Sequence, residues 1–285
     1  MKKILVIGIK GMAGHVIFNS LPKLGNYEVY GVARNVTSTN RIFNLDVSNT
    51  VELKKILDLE FDVVINCIGI LNKDAEDNPH KAIWFNSYFP HLLESYTKNT
   101  KTKVISISTD CVFSGKKGNY TEMDIRDGEG FYATSKAMGE LTNDKDLTIR
   151  TSIIGPELNK EGIGLFHWFM QQNDIVSGYS HAFWSGITTV ELAKVIHQTI
   201  QQEIKGLLIV AGNHKIDKYS LLRLFNSIFR NDSLTVTENS NYKVDKSMYS
   251  SRNDFRYSIP TYIDMIQEMK HWVDEYKSNY SQCGY

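Results

Sequence analysis

Short continuous apolar runs alternate along this chain with segments whose apolar residues recur every three or four positions. The run Ile4–Ile7, rich in branched residues, predicts a buried strand. Ala13–Leu24 follows with Val16, Ile17, Leu21 and Leu24 at helical spacing, and Gly25-Asn26 predicts its end. Glu28–Ala33 and the shorter Arg41–Leu45 read as strands, and Val51–Leu57 reads as a short helix opened by Ser48-Asn49-Thr50. Asp62–Cys67 is again continuous and apolar, as a central parallel strand covered on both faces would be. A helix over Ala82–Lys98, a strand Val104–Ser108, a helix from Ala133 to Leu141 and a strand Leu147–Thr151 continue the rhythm. The alternation predicts an α/β fold built on a doubly wound parallel sheet of Rossmann type, with right-handed crossovers.

After Ile154 the rhythm loosens. An aromatic stretch, Phe166-His167-Trp168-Phe169, precedes a helix Val190–Gln202, a strand Leu207–Val210, a helix Tyr219–Phe229 and a last helix near Tyr262–Lys277. Residues 1–155 are expected to form a dinucleotide-binding region that also carries the catalytic residues. Residues 156–285 are expected to form a smaller substrate-binding region over the carboxyl edge of the sheet, sharing elements with the first. No repeat, low-complexity tract or obvious linker divides them. Most of the aromatic residues, including those in Tyr179–Trp184, read as packing, with one or two facing a ligand. Lys243–Lys246 reads as a solvated loop.

Composition narrows the function classes. Of 285 residues, 42% are hydrophobic and 22% charged, which argues against disorder. Lys plus Arg and Asp plus Glu both number 32, so no basic excess points to nucleic acid or a membrane surface. Cys67, Cys111 and Cys283 lie far apart, which speaks against a disulfide framework or structural zinc. His167 and His181 have no partners at metal spacing, so no metal is expected. The apolar run at the start is too short for a signal peptide, and none approaches the ~20 residues that span a bilayer. The expectation is a cytoplasmic, soluble protein.

Three motifs carry chemistry. Gly8-Ile9-Lys10-Gly11-Met12-Ala13-Gly14 occupies the first strand-to-helix turn. Glycines there permit a tight turn and close approach of backbone to a pyrophosphate, which the helix N-terminus then binds. At the end of the second strand, Arg34 stands where an NAD-selective fold places a carboxylate, and no Asp or Glu lies within a few residues in sequence. This favours NADPH, with NADH use left open. Tyr132 and Lys136 are spaced i, i+4, on one face of a helix. A free phenol titrates near ~10, and a neighbouring ammonium is expected to lower it towards neutrality. Ser108-Thr109-Asp110 ends the preceding strand, where open α/β sheets place ligands.

These features, in this order, resemble the extended short-chain dehydrogenase/reductase family. Ile107–Gly115, Gly118-Asn119-Tyr120-Thr121-Glu122 and Tyr132-Ala133-Thr134-Ser135-Lys136-Ala137-Met138-Gly139-Glu140 are similar, more narrowly, to dTDP-4-dehydrorhamnose reductases and related sugar-nucleotide reductases. Arg150–Pro156 continues the likeness, and Gly186–Thr189 with Glu191-Leu192-Ala193 returns to it. The resemblance implies Thr109, Tyr132 and Lys136 as catalytic hydroxyl, acid and lysine, with Asn86 supporting a water relay to the lysine. It implies Asp46-Val47 beside the adenine and Cys67-Ile68-Gly69 along the cofactor. Tyr132 and Lys136 thus belong to both sets. Three departures stand out: Asn66-Cys67-Ile68-Gly69 for an alanine-rich turn, Gly128-Glu129-Gly130-Phe131 before the tyrosine, and Cys111 for the commoner tyrosine.

The implied reaction is NADPH-dependent reduction of a dTDP- or UDP-linked 4-keto-6-deoxy sugar, in the synthesis of surface-polysaccharide sugars. A dehydratase would carry a glutamate where Cys111 stands, so that reading falls. An epimerase using the same tyrosine and lysine, and a non-catalytic cofactor-binding regulatory subunit, stay open, as does a homodimer.

Overall fold

The computed structural model describes residues 1–285. β1 (Lys2–Ile7) runs into the core, with Ile4 to Ile7 fully buried. The glycine-rich turn leads into α1 (Met12–Leu24), and β2 (Tyr27–Ala33) returns parallel to β1. β3 (Ile42–Asn44), α2 (Thr50–Leu57) and β4 (Val63–Asn66) follow. Asn49 caps α2 by accepting from the Glu52 amide at 3.2 Å. Next come α3 (Asn72–Asp77), α4 (Pro79–Ala82), a π-helical turn over Ile83–Tyr88 and α5 (Phe89–Thr97). β5 (Lys103–Thr109), α6 (Gly130–Met138) and β6 (Leu147–Thr151) complete this half.

The helix expected over Ala82–Lys98 is thus widened by a π turn. Pro90 has no N–H to offer the Asn86 carbonyl four residues back, and the Phe89 N–H bonds Trp84 instead, five residues back. The wide turn carries Asn86 into the interior, 1% exposed.

The second half comprises β7 (Ile153–Ile154), α7 (Leu165–Met170), β8 (Ile175–Trp184), β9 (Ile187–Thr188) and α8 (Thr189–Gln201). It continues through β10 (Gly206–Ile209), β11 (Ile216–Asp217), α9 (Lys218–Arg230), β12 (Thr235–Asp245) and α10 (Tyr262–Glu275). The expected doubly wound sheet is present: seven parallel strands in the order β10-β6-β5-β4-β1-β2-β3. Strand order reverses at β1, between β2 and β4, and such a reversal opens a crevice at the carboxyl ends of the strands. One core joins Ile4, Ile17 and Leu21 to Val195, Ile196 and Leu208, so α8 and β10 belong to the main sheet's packing. A second core gathers Phe166, Phe169, Trp184, Phe225 and Trp272, which places Phe166 and Phe169 in packing roles.

Two strands of the second half escape the apolar pattern. β8 and β12 form a three-stranded sheet with β11 in the order β11-β8-β12. β8 leaves Ile175 and Tyr179 exposed, and β12 is an edge strand of mostly exposed polar residues. The solvated loop expected at Lys243–Lys246 is therefore corrected. Lys243 to Asp245 pair with His181 to Phe183, and the half-buried Lys246 donates its amide to the Phe183 carbonyl at 3.2 Å. Backbone pairing, which polar residues satisfy as well as apolar ones, decides this segment. No helix is long and apolar enough to cross a membrane.

Candidate active site

The glycine-rich turn is shaped by residues that have no side chain. Gly8 adopts φ +93°, in the left-handed region that favours glycine. A methyl group on Gly14 would stand 2.1 Å from the Gly8 carbonyl oxygen, so helix and strand approach closely only with glycine there. The first turn of α1 contains no acidic residue, and the glycine-rich turn before it opens on a cavity of about 850 Å³. Gly8, Lys10, Gly11, Arg34, Asp46, Val47, Cys67, Ile68 and Gly69 line that cavity. We expect Gly14→Ala to weaken binding of a dinucleotide by about tenfold or more, equivalent to at least ~1.4 kcal/mol. Fluorescence titration measures this, and unchanged affinity would mean that the turn is not where phosphates bind.

A second cleft of about 460 Å³ shares Lys10, Gly11 and Cys67 to Gly69 with the first and adds Met12, Thr109, Tyr132 and Lys136. Every candidate catalytic or cofactor residue except Gly14 and Asn86 lines one of these two spaces. Gly14 lies beneath the turn. Asn86 stands behind the cleft, where its side chain binds both backbone groups of Ile70, at 2.8 and 2.9 Å, and donates to the Ser135 hydroxyl at 3.0 Å. It pins the turn after β4 to α6.

Tyr132 and Lys136 share one face of α6 and both enter the cleft. Lys136 donates from Nζ to the Ile107 carbonyl at 2.6 Å, and burial lowers it to about 8, with Glu140 and Cys67 acting in the opposite sense. The sequence expectation that Lys136 depresses the phenol is not met. Burial raises the Tyr132 pKa, Cys111 and Asp110 reinforce the rise, and only contact with the Thr109 hydroxyl works against it. Desolvation outweighs a lysine whose ammonium is turned to a backbone carbonyl. The phenol therefore holds its proton at neutral pH. Burial also pushes the Cys67 thiol up to about 12 and Cys111 to about 11, so neither is a thiolate nucleophile.

Arg34 is not without a carboxylate. Leu45 donates its amide to the Ala33 carbonyl at 3.0 Å, and this pairing of β2 with the end of β3 brings Asp46 within 3.2 Å of Arg34. The two side chains are 68% and 42% exposed, so the pair is weak and a stronger anion can displace it. Lys10 adds a second cation at this corner, donating from Nζ to the Asn35 carbonyl at 3.4 Å.

The family model for the RmlD substrate binding domain matches residues 1–251. The chain belongs to that family. No curated protein matches it. Among solved structures, this RmlD-family chain resembles a dTDP-4-dehydrorhamnose reductase from Bacillus anthracis in complex with NADP. The TM-score is 0.80 at 18% identity, over 95% of this chain and 99% of that one. A hypothetical dTDP-4-dehydrorhamnose reductase from Sulfolobus tokodaii gives 0.72 at 24% identity, over 87% and 92%. A dTDP-glucose 4,6-dehydratase from B. anthracis in complex with NAD gives 0.76 at 14%, over 99% and 100%. At these identities the likeness is one of fold.

The RmlD-family site also contains residues that no local motif marks. His15, 2% exposed, bonds the Gly11 carbonyl through Nδ1 at 2.8 Å and the Tyr280 hydroxyl through Nε2 at 2.8 Å. Burial lowers His15 to about 4, so the ring is neutral. A carbonyl only accepts, so Nδ1 carries the hydrogen and Nε2 accepts from Tyr280, which in turn accepts from Trp272 Nε1 at 2.9 Å. This chain ties the C-terminal segment to the glycine-rich turn. Glu157, in the cleft wall, is held by the same segment: Tyr285 Oη accepts from its amide at 2.7 Å. His15 and Tyr280 lie 265 residues apart, and Glu157 and Tyr285 lie 128 apart, so no spacing signal marks these contacts.

Proposed function

We propose that this protein is an NADPH-dependent reductase of a nucleotide-linked 4-keto-6-deoxyhexose. The observation that carries the reading is the convergence of Thr109, Tyr132 and Lys136 in a cleft continuous with the glycine-lined cavity. The residues present fit a dinucleotide. The cradle at Gly8, Gly11 and Gly14 admits backbone contact with a pyrophosphate, Asp46 and Val47 would flank the adenine, and Cys67 to Gly69 would lie along the cofactor. When bound, the nicotinamide supplies hydride to the keto carbon.

The protein's own residues handle the oxygen. Thr109 and Tyr132 present hydroxyl groups to the carbonyl oxygen, where negative charge develops, and Tyr132 delivers its proton there. The raised phenol pKa suits this direction, because a neutral phenol is the proton donor that reduction requires. Lys136 holds the ribose end of the cofactor, and Asn86 keeps α6 and the turn after β4 at fixed separation. Steady NADPH consumption with a dTDP- or UDP-linked 4-keto sugar tests the reading. An epimerase would interconvert sugars without net consumption, and a regulatory subunit would bind cofactor without turnover.

Arg34 and Lys10 support the choice of NADPH. A 2′-phosphate would gain charge-assisted hydrogen bonds from Arg34 in place of the exposed Asp46 contact. We expect NADPH to bind about tenfold more tightly than NADH, equivalent to ~1.4 kcal/mol. Arg34→Ala is expected to remove most of that preference and leave kcat at saturating cofactor intact. Equal Kd values for the two cofactors in the native protein, titrated at low salt, would refute the assignment.

A further inference from the structure

Residues 280–285 reach two parts of the active site at once. They follow α10 and a short helical turn, Lys277–Tyr280, and the rings of Tyr280 and Tyr285 lie 5.8 Å apart. At one end, the fully buried Tyr280 acts on the glycine-rich turn through His15. Its hydroxyl accepts from Trp272 Nε1 at 2.9 Å, which leaves its own hydrogen for His15 Nε2 at 2.8 Å. His15 Nδ1 donates to the Gly11 carbonyl at 2.8 Å, and the His15 amide donates to the same carbonyl at 3.2 Å. This oxygen belongs to the same planar trans peptide as the Met12 N–H. Holding the oxygen toward the helix therefore turns that N–H the opposite way, out of the helix. No side chain caps α1, so a flip of this peptide is resisted from the carbonyl side, where it would break both bonds. Gly11 and Met12 line the catalytic cleft.

At the other end, Tyr285 acts on the wall of that cleft. Its hydroxyl accepts from the Glu157 amide at 2.7 Å and donates to the Glu157 carbonyl at 3.1 Å. Cys283 Sγ reaches the same carbonyl at 3.1 Å, and the Cys283 carbonyl accepts from Gln171 Nε2 at 2.6 Å. With its backbone held, Glu157 accepts through Oε1 from the Gly164 amide at 2.6 Å and closes the loop 157–164. Glu157, Leu158, Ile163 and Gly164 line the cleft that contains Thr109 and Tyr132.

We propose that residues 280–285 form a strap that positions both halves of the active site. Tyr280 sets the glycine-rich turn for the cofactor through His15, and Tyr285 sets the cleft wall for the sugar nucleotide through Glu157. All three are positioning residues: Tyr280, His15 and Tyr285 line neither cavity, and each acts through a residue that does. The proposal rests on the reductase reading, which supplies the two ligands. The two arms use different residues, so their effects separate, whereas a segment that only packed would affect both ligands alike.

The test titrates the full chain with NADPH by fluorescence and measures NADPH oxidation with a dTDP- or UDP-linked 4-keto-6-deoxyhexose. Tyr280→Phe is expected to raise the NADPH Kd about fivefold, the size of one lost buried hydrogen bond, with the sugar-nucleotide KM within about twofold. Tyr285→Phe is expected to do the reverse, and its half-buried ring stays in place. Trp272→Phe removes the donor to Tyr280 but not the Tyr280 bond to His15, and should keep both values within about twofold. An unchanged NADPH Kd in Tyr280→Phe, or an unchanged KM in Tyr285→Phe, overturns the strap and leaves the reductase reading standing. Equal rises of Kd and KM in both tyrosine variants would assign the segment a packing role and refute the strap. So would a rise of the NADPH Kd in Trp272→Phe as large as in Tyr280→Phe. Failure of the native protein to bind NADPH, or to oxidise it with either substrate, overturns both.

Discussion

Tyr132→Phe is expected to lower kcat for keto-sugar reduction by about 10²- to 10⁴-fold, the range a positioned proton donor contributes. The phenol is removed while its ring, and the packing of α6, remain. NADPH Kd should therefore stay within about twofold, because the lost interaction is made only as charge develops on the substrate oxygen. Lys136→Met is expected to reduce both kcat and NADPH affinity, since the ammonium is assigned to the ribose end of the cofactor. The pH dependence follows from the lysine. With its pKa lowered to about 8, Lys136 is protonated below that value and loses its charge above it. Cofactor affinity and turnover should accordingly fall as pH rises through about 8. Near-native turnover by Tyr132→Phe, measured as NADPH oxidation, would sink the catalytic assignment.

The largest effect on stability is expected at Glu140. Its carboxylate accepts from Arg150 Nε at 2.9 Å and Nη2 at 2.7 Å, from the Ser108 hydroxyl at 2.7 Å and from Arg126 at 3.1 Å. Glu140 and Arg150 side chains are both 1% exposed, and Arg150 Nη1 already lacks a hydrogen-bond partner. Glu140→Ala would leave a buried guanidinium without a counter-charge, which destabilises by about 3–5 kcal/mol. Urea unfolding should show the midpoint falling with little change in slope. Replacing the pair together, Glu140→Leu with Arg150→Met, should recover much of the loss, because no charge is then left buried alone. A loss below about 1 kcal/mol in Glu140→Ala would show that water reaches Arg150. Ser108 precedes Thr109 on β5, so the same variant tests whether this ion pair also steadies the strand that carries Thr109.

The first half of the fold was legible because its information is local. Parallel strands covered on both faces read as apolar runs, as at Ile4–Ile7 and Val63–Asn66, and α1 shows its face in Val16, Ile17 and Leu21. The glycine spacing of the first turn and the four-residue step from Tyr132 to Lys136 are fixed by covalent distance, so they survive into the structure unchanged. β8 and β12 were not legible, because one exposes apolar residues and the other is an edge strand that consists mostly of polar ones.

The electrostatic facts belong to the tertiary structure. Arg34 and Asp46 meet because β2 and β3 pair in one register. The direction of the Tyr132 pKa was misread from sequence for the same reason. Four residues of helix place Lys136 on the right face, but its ammonium turns to the Ile107 carbonyl, and burial sets the phenol. Sequence alone determined that Tyr132 and Lys136 share one face of α6 and that the glycines stand in the first turn, because period and spacing follow from backbone geometry. Which charges touch, and how much water each retains, was decided only when elements far apart in the chain packed together, since desolvation and Coulomb energy depend on through-space distance.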